Sequence, residues 1–279
     1  MKLIIDSGGT STDWCLVDGK EVVERFQTSG LSPVYQSAEE MERVLLSESA
    51  IHVPIGKIRS IHFYGAGFFD EQQCMEWRLR LSRLFGADEV EVRSDLWAAA
   101  RGLCGKNPGI ACIIGTGSNS CLYDGTHIVQ NISPLGFILG DEGSGAVLGK
   151  RILSDALKNQ LPESVTTQIF TSLSLSKEEI IDRVYRQPYP NRFLASVARI
   201  VVDLQNEPTI ERIVREEFNR FLVRNVLQYQ TSSLPIHFTG SVAFVLQRIL
   251  NEEARQFGLQ VGSITQSPLD GLVKYHINQ

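Results

Sequence analysis

Short apolar runs that end in glycine-rich turns open the chain. Residues 3–5 (LII) predict a buried strand that leads directly into residues 6–12 (DSGGTST). Residues 14–17 resume an extended apolar pattern, and residues 21–28 predict a third strand after the Asp-Gly turn at 18–19. The pattern therefore predicts an antiparallel start of three strands, with glycines and hydroxyls at the tip of the first hairpin.

Helices and strands alternate in the pattern that follows. Ser37 and Glu40 predict a capping box at the start of a helix. Met75, Leu79 and residues 84–85 have the spacing of an apolar helix face. The predicted elements are a helix at 37–49, a strand at 58–64 that ends at the Gly-Ala-Gly turn 65–67, a helix at 70–85, a strand at 90–92 and an alanine-rich helix at 95–104. Such alternation is typical of an α/β fold.

The opening arrangement then occurs a second time. Residues 109–114 (GIACII) predict a buried strand that leads into residues 115–120 (GTGSNS), and two further strands follow around another Asp-Gly turn. An internal repeat of this kind is structural evidence that a single glycine motif does not supply. From 141 to about 225 the pattern predicts mainly helix, interrupted by a Ser/Thr-rich connection at 161–176. A strand at 236–238, a helix that extends to 256 and a short helix that starts at 267–271 complete the prediction.

The first glycine turn carries the groups of a phosphate and metal site. Its glycines allow backbone N–H groups to approach an anion, and Thr10, Ser11 and Thr12 add hydroxyl donors. Asp6, at the end of the strand, could hold a hydrated divalent cation. The alternative from these residues alone is an ordinary polar Gly-Gly hairpin.

Composition narrows the class of protein. The chain has 279 residues, of which 43% are hydrophobic, and a net charge of −5, which favours a globular protein of two domains or one large one and argues against a general nucleic-acid binder. No apolar run is long enough for a membrane span and no secretory pattern opens the chain, so we expect a cytoplasmic protein. The five cysteines are scattered, which supports neither a zinc site nor a disulfide framework.

Two glycine-hydroxyl hairpins and the late turn 239–241 (TGS) together resemble the superfamily of sugar kinases, actin and heat-shock chaperone ATPases. Residues 115–120 and 140–145 (GDEGSG) look like its N-acetylglucosamine kinase branch, which is grouped with the activator ATPases of benzoyl-CoA reductase and 2-hydroxyacyl-CoA dehydratase. The resemblance implies an α/β fold of two ribonuclease H-like lobes, each a mixed five-stranded sheet with helices, with an ATP cleft between them. The expected lobes are 1–108 and 109–265, the second with a helical insertion, and a C-terminal helix at 266–279 that packs on the first.

The resemblance also implies a role for individual positions. Asp6 would coordinate Mg²⁺, and Asp95 would be the catalytic base. The positions that would bind ATP are Gly8, Gly9, Thr10 and Thr12, then Gly115, Thr116, Gly117 and Ser118 around its phosphates, and Gly240, Ser241 and Val242 at the adenosine. Asn119 and Asp141 would bind sugar hydroxyls, with Glu142 and Gly145 close by.

Simpler interpretations stand beside these roles, and one segment departs from the family pattern. Asp95 could be a plain helix N-cap, and the acidic pair at 141–142 a turn that favours a helix N-terminus. The related kinases carry Gly-Leu-Ser-Thr-Asn where this chain has residues 30–34 (GLSPV), so the sugar contact of the family Asn is absent or supplied by Ser32 or Tyr35. The identity of the sugar is therefore less determined than the nucleotide chemistry.

Three functions follow from the resemblance. The first is an ATP-dependent kinase of N-acetylglucosamine or a related amino sugar, expected to be a homodimer that binds neither nucleic acid nor membrane. The second is an activator ATPase with an iron–sulfur cluster, for which Cys104 is the nearest candidate ligand. The third is a nucleotide-dependent regulator without catalysis, which an intact Asp95 disfavours.

Overall fold

The protein folds into two compact units, each built on one mixed five-stranded sheet. The computed structural model describes residues 1–231 and 233–277. One unit comprises Met1–Asn107 together with the chain from Ser267 onward, and the other is Pro108–Gln266. The prediction of an α/β fold with two mixed five-stranded sheets is confirmed.

The sheet of the first unit has the order β3-β2-β1-β4-β5. Its strands are β1 (Lys2–Ser7), β2 (Ser11–Asp18), β3 (Glu21–Ser29), β4 (Ser60–Gly65) and β5 (Glu89–Ser94). The first three strands pair antiparallel, as the sequence predicts, and β4 and β5 add parallel to β1. Because β1 is central, the turn that follows it lies at the middle of one sheet edge.

Two helices cover one face of this sheet through apolar side chains that alternate along β1. α1 (Ala38–Ser49) begins at the predicted capping box, in which Ser37 and Glu40 each bond the other's backbone N–H. α2 (Glu71–Phe85) is also present, but its buried face differs from the prediction, since Met75 and Leu79 are exposed. The side chains that α2 buries are Cys74, Trp77, Leu81 and Phe85.

The opposite face is covered by a helical segment that changes type part-way. The single helix predicted over 95–104 is instead α3 (Asp95–Ala99) followed by a π-helical turn, Ala100–Cys104. This π turn packs against α12 (Leu269–Ile277), the C-terminal helix of the chain. Ile4 and Tyr64 of the sheet and Leu272 of α12 belong to the same buried cluster. α12 is therefore an integral layer of the first unit.

The sheet of the second unit repeats the topology of the first, in the order β10-β9-β6-β7-β8. Its strands are β6 (Gly109–Ile114), β7 (Ser118–Tyr123), β8 (Ile128–Ile132), β9 (Ile236–Thr239) and β10 (Val261–Thr265). Three strands again pair antiparallel, and β9 and β10 add parallel. β10 is missing from the sequence prediction, because its five residues include Gly262 and Ser263 and only part of the strand is shielded from solvent.

Helices make up most of the rest of the second unit. They are α4 (Gly136–Leu139), α5 (Gly145–Leu157), α6 (Glu163–Leu173), α7 (Lys177–Tyr185), α8 (Pro190–Asp203), α9 (Pro208–Arg224), a 3₁₀ turn (Val226–Tyr229), α10 (Ser241–Val245) and α11 (Gln247–Gln256). The Ser/Thr-rich connection predicted at 161–176 is wrong, since α6 occupies most of it. Val165 and Ile169 bury one side of α6, so tertiary packing outweighs the weak helix propensity of its Ser and Thr residues.

No helix within residues 1–231 and 233–277 combines the length and the apolar character that crossing a membrane requires.

The contact between α12 and the π turn generates a stability prediction. A Cβ at Gly271 would lie 1.8 Å from the carbonyl oxygen of Gly102, so the two backbones touch where neither can carry a side chain. Gly271→Ala should destabilise the protein by about 2 kcal/mol, because overpacking outweighs the roughly 1 kcal/mol that Ala gains over Gly within a helix. Urea unfolding measures the change. Asp270→Ala, next to it and mostly exposed, is the control and should change stability little; an increase in stability for Gly271→Ala would contradict the backbone contact.

Candidate functional site

The first glycine turn is a tight β1–β2 hairpin supported from behind by a third glycine. The N–H of Gly8 donates to the carbonyl of Ser11 at 2.9 Å, and the N–H of Gly30 donates to the carbonyl of Thr10 at 3.0 Å. A Cβ at Gly30 would lie 2.7 Å from the carbonyl oxygen of Gly8 and 2.9 Å from the N of Ser11. The chain after β3 therefore holds the hairpin in shape, while Gly8 and Gly9 stay partly accessible.

Two buried hydroxyls fix the base of this hairpin. Ser7 Oγ and Thr12 Oγ1 are 2.8 Å apart, Thr12 Oγ1 donates to the carbonyl of Ser29 at 2.9 Å, and Leu31 N–H donates to Ser7 Oγ at 3.0 Å. Both side chains are fully buried. The Thr12 hydroxyl thus acts in the support of the hairpin, whereas Thr10 lies at its exposed tip.

Three carboxylates of the first unit interact through their charges. Asp6, at the end of β1, pairs in register with Asp13 of β2. Burial first, and then the negative charges of Asp13 and Asp95, raise the pKa of Asp6 well above its ordinary value. A cation would stabilise the ionised form of partly buried carboxylates that repel one another in this way.

Mg²⁺ fits this donor set. It prefers oxygen ligands, keeps several waters and is commonly held by one or two carboxylates together with substrate phosphates. Asp6 is the carboxylate best suited to the role, because burial and then the charges of Asp13 and Asp95 disfavour its ionised form, and a bound divalent ion would stabilise that form.

Asp95 begins α3 directly after β5. Ser94 is the N-cap residue, yet its side chain makes no capping bond, and the Asp95 carboxylate accepts from its own N–H and that of Leu96. Burial outweighs these hydrogen bonds and raises the pKa of Asp95 to about 6. The carboxylate therefore does part of the work of a helix cap while remaining suited to accept a proton near neutral pH.

Three glycine motifs of the second unit converge on the turn 115–118 between β6 and β7. A Cβ at Gly240, whose φ is +115°, would lie 2.4 Å from the carbonyl oxygen of Ile114, and a Cβ at Gly145 would lie 3.2 Å from that of Gly115. The same Cβ at Gly145 would lie 3.4 Å from Val242 Cγ2. Hence the turn, the start of α5 and the start of α10 lie close together: a Cβ is excluded at Gly240 and would have little space at Gly145.

The N-terminus of α5 holds this turn directly. The N–H of Gly145 donates to the carbonyl of Gly115 at 2.8 Å, and the N–H of Ala146 donates to that of Thr116 at 3.1 Å. Within the turn, Gly115 N–H donates to the carbonyl of Gly117 at 2.9 Å. The first amides of α5 are thereby used to fix the turn.

Asp141 connects the segment 140–145 to the turn 115–118. Its Oδ1 accepts from the N–H of Ser118 at 3.3 Å, and a Cβ at Gly117 would lie 3.0 Å from its Oδ2. The residue has a φ of +52°, which is uncommon outside glycine. Asp adopts this left-handed conformation more readily than most residues, and here the conformation presents the carboxylate beside the glycine turn.

Glu142 is directed away from this turn and toward the end of α9. It is 5% exposed, its Oε1 pairs with Arg224 Nε at 2.5 Å, and its Oε2 accepts from Asn225 Nδ2 at 3.4 Å. A buried carboxylate with these partners anchors the turn 140–145 on α9. Asp141 and Glu142, adjacent in sequence, therefore have different surroundings.

Asn119 lies on β7, one residue beyond the turn. Its Oδ1 accepts from Asn131 Nδ2 and from the N–H of Ser120, each at 2.9 Å. These bonds fix the orientation of the amide and leave its NH₂ group as the donor side.

The segment that departs from the family pattern packs against the turn that follows β4. A Cβ at Gly67, whose φ is +89°, would lie 2.9 Å from Val34 Cγ2 and 3.1 Å from Ser32 Oγ. Ser32 is buried, whereas Val34 is 57% exposed. An apolar surface therefore stands where the related kinases carry an amide.

Comparison with known proteins identifies the family. No family model matches the chain. The crystal structure of the proposed N-acetylglucosamine kinase of Porphyromonas gingivalis is 45% identical, with a TM-score of 0.96, and the match covers 100% of this chain and 99% of that one. The chain belongs to the N-acetylglucosamine kinase-like family of sugar kinases.

Two further proteins are similar to this chain, one in sequence and one in fold. The N-acetylmuramic acid/N-acetylglucosamine kinase of Clostridium acetobutylicum is 28% identical over 277 residues, which cover 91% of this chain and 88% of that protein. A ROK family glucokinase of Streptomyces griseus, solved with glucose and AMPPNP, is 14% identical with a TM-score of 0.62 and covers 98% and 97% of the two chains. This second likeness concerns the fold alone.

Sequence reasoning missed several residues of this kinase-like site. Asp13 could have been found, because the hairpin register places it opposite Asp6. Gly30 is visible in the sequence only as part of the divergent segment, and Asn131 and Arg224 gave no signal because each depends on contacts distant in sequence.

The ion pair of Glu142 generates a prediction for this kinase-like protein. Arg224→Met should reduce the free energy of unfolding by about 1–2 kcal/mol, because it leaves the buried Glu142 carboxylate with Asn225 alone; the partial exposure of Arg224 moderates the loss. Urea unfolding measures it. Arg220→Met on the same helix is the matched control, since the buried Glu217 that it contacts keeps Arg151. Equal losses in both variants would contradict the anchoring role.

Proposed function

We propose that the protein is an ATP-dependent kinase that transfers the γ-phosphoryl group to a hydroxyl of N-acetylglucosamine. The observation that carries the proposal is the convergence of the turn 115–118, the motif 140–145 and the turn at Gly240 within the second unit. Two relatives that match nearly the whole chain are named as kinases of N-acetylglucosamine, and their names support the substrate class.

Each unit has backbone-rich segments that we assign to nucleotide binding. In the second unit, Gly115, Thr116, Gly117 and Ser118 bind phosphate oxygens, and Gly240, Ser241 and Val242 bind the adenosine. In the first unit, Gly8, Gly9 and Thr10 bind the β- and γ-phosphates, with Thr12 as their support. Glycine turns suit these roles because their N–H groups reach an anion without interference from a Cβ.

Asp6 holds Mg²⁺ directly or through water. When bound, the ion would neutralise charge on the transferred phosphoryl group. The chain's own contribution is the set of carboxylates around it, whose charge makes cation binding favourable.

Asp95 is the general base. It accepts the proton of the attacking sugar hydroxyl as the bond from that oxygen to the γ-phosphorus forms in line with the leaving ADP oxygen. Its pKa, raised by burial to about 6, is high enough for proton transfer and low enough for ionisation at neutral pH.

Asp141 and Asn119 bind sugar hydroxyls from the second unit. The Asp141 backbone conformation and the fixed Asn119 amide support directed hydrogen bonds. Glu142 and Gly145 act through position, Glu142 by its pair with Arg224 and Gly145 by its bond to the turn. The exposed apolar Val34 replaces the amide of the related kinases, so the contact with the sugar differs there.

The activator-ATPase alternative is less well supported. Cys104, the nearest candidate ligand, is only 5% exposed, so it is not presented at the surface for a cluster that a second copy of the chain could share. All five cysteines are buried.

The oligomeric state is a separate question. A homodimer stays a prediction, which light scattering tests.

The function is tested with purified protein, ATP and Mg²⁺. With N-acetylglucosamine present, the protein should release ADP, and mass spectrometry should detect the phosphorylated sugar. N-Acetylmuramic acid, N-acetylmannosamine and glucose complete the panel of candidate substrates. Sugar-independent hydrolysis by an iron-containing protein would instead support the activator class, and nucleotide binding without turnover would support the regulator.

Asp95→Asn should reduce kcat by about 10²–10⁴-fold, because the amide cannot accept the proton. The affinity for ATP, measured by calorimetry, should stay close to that of the unchanged protein. A large loss of ATP affinity in this variant would mean that Asp95 has another role.

The pH dependence follows from the same group. Because the base acts as a carboxylate and its pKa is about 6, kcat/KM for the sugar should be level above that pH and fall roughly tenfold per unit below it. Initial rates measured from about pH 5 to about pH 8 would show this fall of kcat/KM on the acid side. A profile that stays level to pH 5 would contradict Asp95 as the base.

A further inference from the structure

A buried cluster of charged and aromatic residues lies on the sheet face that α3, the π turn and α12 cover. Arg101, in the π turn, donates from Nη1 to Glu91 Oε2 at 2.8 Å and to Tyr64 Oη at 2.7 Å. Tyr64 Oη is 2.7 Å from Nε2 of His276, which is 1% exposed. One guanidinium thus joins β5, β4 and the C-terminal helix.

The hydrogen bonds of this cluster have a definite direction. Arg101 can only donate, so Tyr64 Oη accepts from it and donates its own proton to His276 Nε2. His276 must then be neutral, which agrees with its pKa: burial, helped by the positive charges near it, lowers that pKa to about 3. Glu91 is ionised, because hydrogen bonds from His62 and Arg101 overcome burial and hold its pKa well below its ordinary value.

His62, Glu91 and His276 also have the composition of a metal site, with ligand atoms within 4.8 Å of one another. Two observations argue against a metal. The rings of His62 and His276 are stacked with centroids 3.7 Å apart, so their lone pairs do not converge, and Arg101 already neutralises Glu91. The cation of this cluster is the guanidinium.

Arg101 belongs to the same continuous helical segment as Asp95. Its guanidinium also lies over the ring of Trp97 at 5.0 Å and that of Tyr275 at 5.2 Å, so α3 and α12 both contact it. A π turn inside a helix is uncommon and recurs at functional sites. In this protein the π turn includes Gly102, which contacts Gly271 of α12, and Arg101, whose guanidinium contacts Glu91 and Tyr64.

We propose that Arg101 is a positioning residue for Asp95: by joining Glu91, Tyr64 and, through Tyr64, the C-terminal helix, it fixes the helical segment that begins at the base. The inference rests on the proposed function. α12 is then part of the phosphoryl-transfer apparatus, although it contributes no group to the reacting atoms.

Arg101→Lys is the first test, because Lys keeps the charge but cannot form the planar set of contacts. It should lower kcat roughly 10- to 100-fold, since small displacements of a reacting group have effects of that size, while the KM values for ATP and sugar stay within about twofold. Arg101→Ala should be slower still, so that Lys restores part of the rate. Tyr64→Phe, which keeps the ring but breaks the link to His276, should lower kcat in the same way.

Arg25→Met is the matched control. It removes another contact to α12, the exposed ion pair with Asp270, and should leave kcat unchanged. Amide hydrogen exchange of residues 95–99 should become faster in Arg101→Lys and Tyr64→Phe and stay unchanged in Arg25→Met.

The outcomes separate the two claims. If the unchanged protein transfers phosphate but Arg101→Lys and Tyr64→Phe match it in kcat, the positioning role is overturned and the kinase stands. If no sugar in the panel is phosphorylated, the proposed function fails, and unaltered exchange of residues 95–99 in the variants would then overturn the positioning role as well. Stoichiometric zinc that is lost in His276→Ala would also overturn it.

Discussion

The exclusion of side chains at one point of the second unit is the constraint on which its site depends. Gly240 approaches the carbonyl of Ile114 so closely that no Cβ would fit, and Gly145 approaches that of Gly115 with little space for one, so three segments distant in sequence meet at this point. Because the first amides of α5 then bond the turn, its geometry is fixed by backbone contacts. Such preorganisation suits phosphate binding, since little reorganisation is left for the ligand to induce.

The first unit uses the same constraint in two places and for two purposes. Behind the β1–β2 turn, Gly30 fits against the carbonyl of Gly8 and supports a loop. Beneath α3, Gly102 and Gly271 bring the π turn and the C-terminal helix into backbone contact. This contact places a helix from the end of the chain on the sheet face that Asp6 shares with Tyr64 and that α3, which begins at Asp95, also contacts. Glycine positions therefore determine both the shape of the β1–β2 turn and the packing of α12 on the π turn.

Much of the scaffold was predictable from sequence, because it rests on local rules. Strand alternation, the capping box at Ser37 and the repeated hairpins all follow from residue patterns within short windows. The misses depend on partners far along the chain. α6 forms because Val165 and Ile169 find a core, and the helix predicted over 95–104 changes to a π turn where Gly102 meets α12. Of the candidate site, the turns and Asp6 were predictable, whereas the Glu142–Arg224 pair required the tertiary structure.

The two sheets have the same order, yet the ends of their strands carry different chemistry. In the first unit, β1 and β5 lead into Asp6 and Asp95, and the charges there repel one another. In the second unit, β6 and β9 lead into glycine turns that present backbone groups. Carboxylates bind phosphate only through a cation, whereas glycine amides bind it directly. Two sheets of the same order thus carry different groups at their strand ends. Under the proposed function, the carboxylates of the first would hold a metal ion and accept a proton, and the backbone amides of the second would bind an anion, which together are the requirements of phosphoryl transfer.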